Sequence, residues 1–111
     1  MKLGEVEKMK TYNKLVRDKI PEVIEAAGKK YDIRVADKEE HYKLLEAKLK
    51  EEVNEFLQDK NLEELADVME VLIGLANNMG YSEEELFKKR EEKKAERGGF
   101  EKGIVLEKVY E

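Results

Sequence analysis

A chain of 111 residues, 44% charged and 41% hydrophobic, has room for a single domain over 1–111 with only a modest core of its own. Its formal net charge of −5 disfavours binding to a nucleic acid polymer, and the absence of cysteine excludes disulfides, thiolate zinc sites and cysteine nucleophiles. No stretch approaches the roughly 18 apolar residues of a membrane span, and the opening MKLGEVEKMK has no apolar run of signal length, so a soluble, cytoplasmic protein with no membrane partner is expected.

Glycines and the single proline divide the chain into helical blocks. Pro21 fits the first turn of a short helix, PEVIEAA, which Gly28 ends; Asp18 is the expected cap at its start. A turn-like YDIRVAD follows. Apolar periodicity then predicts a helix over Lys38–Asp59 and another over Leu62–Met79, joined by Gln58-Asp59-Lys60-Asn61 and therefore antiparallel neighbours. After Gly80, Ser82 and Glu85 have the spacing of a capping box opening a third long helix that runs to Arg97, where Gly98-Gly99 stops it. The tail GIVLEKVY reads as a short strand or an extended arm. The class is all-α, an antiparallel helical bundle. The helix over Leu62–Met79 is apolar around most of its circumference, more than so short a chain can cover, so completion by a homo-oligomer, dimer or tetramer, is expected.

Two acidic pairs sit where apolar residues belong. On a helical wheel Leu45, Leu49, Val53 and Phe56 form one stripe, and Glu52 falls inside it with Glu55 at its edge. In the next helix Glu64 projects between Val71 and Leu75, and Asp67 borders the same territory. A buried carboxylate without a partner costs several kcal/mol, so something must offset these charges. Either a hard divalent cation with oxygen ligands joins the four, Mg²⁺ being the natural choice, or Lys48 or another lysine pairs with them. Most other acids, such as Glu83 to Glu85, read as solvated. Lys14, Arg17 and Lys19 form a basic run, and Lys93 and Arg97 stand at i, i+4; both groups are candidates for holding phosphate oxygens, against a plainer role as ion-pair partners on an acidic surface. His41 reads as a solvated residue, Phe100 as a core-edge residue, and Tyr12, Tyr42, Tyr81 and Met79 as packing residues.

Glu51-Glu52-Val53-Asn54-Glu55 followed by Glu64-Leu65-Ala66-Asp67 resembles the EExxE…ExxD signature of the MazG-like all-alpha nucleotide pyrophosphohydrolases. The opening Tyr12-Asn13-Lys14-Leu15-Val16-Arg17-Asp18-Lys19-Ile20-Pro21 and the closing Arg97-Gly98-Gly99-Phe100 are similar to a short house-cleaning, phosphoribosyl-ATP pyrophosphohydrolase-like subfamily. The resemblance implies a MazG-type bundle in which Glu52, Glu55, Glu64 and Asp67 bind Mg²⁺, with Mn²⁺ as a substitute. Glu51 would orient or deprotonate the attacking water, although the motif leaves open whether Glu51 or Glu52 is the base. The implied reaction splits a nucleoside triphosphate-like substrate between its α and β phosphates, as in house-cleaning of noncanonical nucleotides. The rival readings are a phosphoribosyl-ATP pyrophosphohydrolase of histidine biosynthesis and a non-catalytic helical interaction or nucleotide-binding module.

Overall fold

Helix formation follows local rules at every boundary in the computed structural model, which describes residues 9–111. Gly4 and most of the opening MKLGEVEKMK lie outside those residues. The described residues form four helices, α1 (Ile20–Ala26), α2 (Lys38–Asp59), α3 (Leu62–Asn78) and α4 (Glu83–Arg97), and contain no strand. The protein is all-helical.

Pro21 sits in the first turn of α1 as expected, but Asp18 does not cap it. Lys19 occupies the cap position with helical backbone angles and no side-chain bond to the helix, so Asp18 stands one residue too early to reach the free amides. The other three starts are capped by side chains. Asp37 accepts from the Glu40 amide at 2.8 Å, Asn61 from the Glu64 amide at 2.9 Å, and Ser82 from the Glu85 amide at 3.1 Å. Glu85 reaches back to the Ser82 amide at 3.4 Å, which completes the capping box. Substituting Asn61 by alanine is expected to cost about 1 kcal/mol, measurable by chemical denaturation, because it strands an amide of the first turn.

Gly80 ends α3 with φ 95°, a conformation that favours glycine. There the Tyr81 amide donates to the Ala76 carbonyl and the Gly80 amide to that of Asn77, a Schellman closure that satisfies two of the last carbonyls. Lys60, at φ 50°, turns the chain between α2 and α3 with only Asn61 to follow, which makes the two helices an antiparallel hairpin. At the hairpin's far end the Asn78 side chain donates to the Lys38 carbonyl at 3.2 Å. The helices approach closely at Gly74, where an added Cβ would stand 3.0 Å from Leu45 Cδ2.

The α2–α3 hairpin holds the whole core, because α4 packs on α3 alone and α1 contacts no other helix. Leu45, Val71, Ile73 and Ala76 are buried, and Glu52 is buried with them. Phe100 is 99% exposed, so it does not fill a core edge within one chain, and Tyr12, Tyr42, Tyr81 and Met79 are exposed as well. The tail after Gly103 is an arm without a strand. The chain extends over 79 × 31 × 25 Å. None of the described helices is long and apolar enough to cross a membrane.

Candidate metal centre

The unusual acids of α2 and α3 meet beside the Lys60–Asn61 turn. Oxygens of Glu51, Glu52 and Glu55 lie within 4.8 Å of one another, and so do oxygens of Glu52, Glu64 and Asp67. Glu52 belongs to both groups. It is 6% exposed, which is what its place in the apolar stripe of α2 required. The i, i+3 spacing sets Glu55 one turn from Glu52, and the same spacing joins Glu64 to Asp67 on α3. The tight turn then brings the two pairs together.

Three cations reach this cluster. Lys48, one turn before Glu52, places its Nζ 3.2 Å from Glu52 Oε1 and 3.5 Å from Glu51 Oε2. Lys14 Nζ donates to Glu51 Oε1 at 3.1 Å, and Arg17 Nη2 to Asp67 Oδ1 at 2.6 Å. A left-handed turn at Asn13 (φ 45°), tolerated by asparagine better than by most residues, precedes Lys14. Lysine pairing therefore accounts for part of the charge. It does not account for the rest. Five carboxylates face three cations, and the buried Oε2 atoms of Glu52 and Glu64 have no hydrogen-bond partner.

The uncompensated charge shows in the protonation of the cluster. The Glu52 charge beside Glu55 pushes the Glu55 carboxyl above its ordinary range, and the charges of Glu64 and Glu51 act the same way. Burial does the same to Glu64, reinforced by the charge of Asp67. Glu51 moves the other way, held low by its hydrogen bond from Lys14, and the Lys14 ammonium is raised by the same bond. Orphaned carboxylate oxygens from two helices, with two negative charges left over, fit one hard divalent cation; oxygen-only donors suit Mg²⁺ or Mn²⁺.

Of the residues expected to hold phosphate, Lys14 and Arg17 stand at the cluster. Lys19, Lys93 and Arg97 make no ion pair with it. Lys19 forms the start of α1, while Lys93 and Arg97 are exposed on α4, which packs on α3 and does not touch α2. Family models, curated proteins and solved structures give no match to this chain. A shallow depression lined by Lys38, Glu39, Tyr42, Lys43 and Asn78 lies at the other end of the hairpin and gathers no comparable set of acids.

Two caps escaped the sequence reading. Asp37-x-x-Glu40 and Asn61-x-x-Glu64 have the spacing of Ser82-x-x-Glu85, and that spacing was the available signal. Arg34 also grips Glu40 with two bonds of 2.6 Å. The pair is exposed, so Arg34→Ala is expected to shift the thermal midpoint by no more than about a degree or two.

Proposed function

We propose that this chain is a Mg²⁺-dependent nucleotide pyrophosphohydrolase of the MazG type, working in the cytoplasm as a homo-oligomer. It would cleave a nucleoside triphosphate-like substrate between the α and β phosphates, giving monophosphate and pyrophosphate, in house-cleaning of noncanonical nucleotides. The observation that carries this reading is Glu52, buried in the stripe of α2, shared by both acidic groups and left with an unpartnered oxygen. A purely structural glutamate gains nothing from that arrangement.

Glu52, Glu55, Glu64 and Asp67 would hold Mg²⁺, with Mn²⁺ as a substitute. When bound, the ion polarises a phosphoryl oxygen and makes hydroxide accessible near neutral pH. Glu51 is the more solvent-accessible of the adjacent pair, with 34% of its side chain exposed against 8% for Glu52, so it is the one that water reaches. Held deprotonated by Lys14, it accepts a hydrogen bond from that water and orients it; the same low pKa makes it a weak proton acceptor. Lys14 and Arg17 supply positive charge at the rim of the cluster, where phosphate oxygens need it.

Pyrophosphate release from a panel of standard and damaged nucleotides, phosphoribosyl-ATP included, with Mg²⁺, Mn²⁺ or chelator, tests the reading. Metal-dependent release together with a higher melting temperature in Mg²⁺ is the expected result, since a ligand that binds only the native state stabilises it. Absence of both overturns the assignment. A non-catalytic helical module is favoured by one observation, the Lys48–Glu52 pair, which offsets part of the buried charge without metal. For such a module, Mg²⁺ leaves the melting temperature unchanged.

A further inference from the structure

Arg17 differs from the other two cations at the cluster. Lys48 bridges Glu51 and Glu52 from within α2, at 3.5 and 3.2 Å, with only 18% of its side chain exposed. Lys14 donates to Glu51, which is not among the four acids assigned to the ion. Arg17 donates to Asp67 Oδ1 at 2.6 Å, and among the described residues it has no second acceptor. Its partner is thus an acid that the ion also claims, and its side chain, 55% exposed, has water to turn into.

Little else ties Arg17 to the hairpin. No residue from 9 to 37 is buried, and α1 touches no other helix. Among the described residues, the segment 9–28 is joined to the hairpin by two side-chain hydrogen bonds, from Lys14 to α2 and from Arg17 to α3, and by no backbone bond. The Arg17 carbonyl accepts from the Ile20 amide at 3.0 Å, which holds the backbone against the start of α1 and confines movement to the side chain.

We infer that Arg17 and a divalent cation exclude each other at Asp67, so that the arriving ion turns the arginine out to the rim of the cluster, where it takes a phosphate oxygen. The inference rests on the metal reading above and adds an order to it: Arg17 grips phosphate only after the ion has claimed Asp67. An ion on Asp67 takes the charge that holds the guanidinium and sets two positive charges beside it. Glu52 meets no such conflict, because its Oε2 has no partner to give up and Lys48 keeps Glu51. The released guanidinium has the fork geometry that suits phosphate oxygens. Such coupling is reciprocal, so whatever draws Arg17 off Asp67 tightens the ion.

An arginine that instead braced Asp67 as a ligand would give the opposite sign, its loss weakening the ion by about tenfold or more. Calorimetric titration of the full chain with Mn²⁺ alone reads that sign without nucleotide or turnover. Arg17→Gln is expected to bind Mn²⁺ about two- to fivefold more tightly than wild type, the span of an exposed ion pair. Lys19→Gln removes the same charge two residues on, where no ion pair with the cluster is made, and is expected to leave the affinity unchanged. In the wild type, Mn²⁺ is expected to speed phenylglyoxal modification of Arg17 by up to about fivefold over the rate in chelator, measured relative to Arg97. This second arm depends on no variant folding. The inference is overturned if Arg17→Gln binds Mn²⁺ no more tightly than wild type, if Lys19→Gln tightens it as much, or if Mn²⁺ leaves the reactivity of Arg17 unchanged. In those cases Mn²⁺ still binds and the metal reading stands. Absence of Mn²⁺ binding in wild type and variants alike overturns both.

Discussion

Glu52→Leu is expected to raise the melting temperature of the protein in chelator and to abolish its response to Mg²⁺. The wild-type side chain is 6% exposed among apolar neighbours, one oxygen is partnered only by Lys48, and the other by nothing. Exchanging a whole buried ion pair for apolar residues of similar volume stabilises by about 1–4 kcal/mol; only the acid is exchanged here, so the gain should lie at the low end of that range. Lys48 keeps Glu51 as a partner at 3.5 Å, so the substitution strands no cation. Leucine continues the stripe of Leu45, Leu49, Val53 and Phe56. Pyrophosphate release should drop to background in the same variant. Paired thermal melts, with and without Mg²⁺, check the first part: a variant that still gains stability from Mg²⁺ would show that the ion is held elsewhere.

A second large effect is expected at Glu64. Glu64→Gln should lower metal-dependent pyrophosphate release on the order of 10²-fold or more, as loss of a metal-binding carboxylate does. Its effect on stability should depend on pH. Burial and the Asp67 charge raise the Glu64 pKa above its ordinary value of 4.5, so the folded state holds its proton more tightly than the unfolded one. Stability therefore falls as pH rises from about 4.5 through the raised value, and glutamine, which does not titrate, escapes this loss. In chelator the melting temperature of Glu64→Gln relative to wild type should climb across that window and then level off. Glu55 contributes in the same direction and Glu51 in the opposite one, its stabilisation being lost on acidification, so the difference between the two proteins is the quantity to measure. A difference that is flat with pH would mean that the Glu64 carboxyl is not desolvated.

Much of the helical framework and the acidic cluster was legible in the sequence because both rest on short-range periodicity. Glu52 interrupts a 3.6-residue pattern that its own neighbours define, and Ser82 with Glu85 announces a helix start within four residues. The two acidic pairs could be brought together because a two-residue connection leaves antiparallel packing as the simple arrangement. Contacts across long separations were less accessible. Lys14 and Arg17 meet carboxylates 37 and 50 residues away. Their charge was visible in the sequence, but charge names no partner. Lys93 and Arg97 look equally basic, yet α4 leans on α3 alone and leaves them exposed. Asp18 was misread because cap preference acts at one position only, and the helix begins one residue later than its side chain can serve. Phe100 failed for another reason: an apolar residue after a helix finds a core only if the chain folds back, and this one does not.

The bond from the Glu64 amide to the Asn61 side chain fixes more than the start of a helix. It sets the rotational phase of α3, and with it the direction in which Glu64 and Asp67 point. An extra residue between Asn61 and Glu64 would turn both acids about 100° around the helix axis, away from α2. The stretch 29–37 tolerates a change of length, because no acid of the cluster takes its bearing from it. Three residues beside the hairpin turn have no such slack.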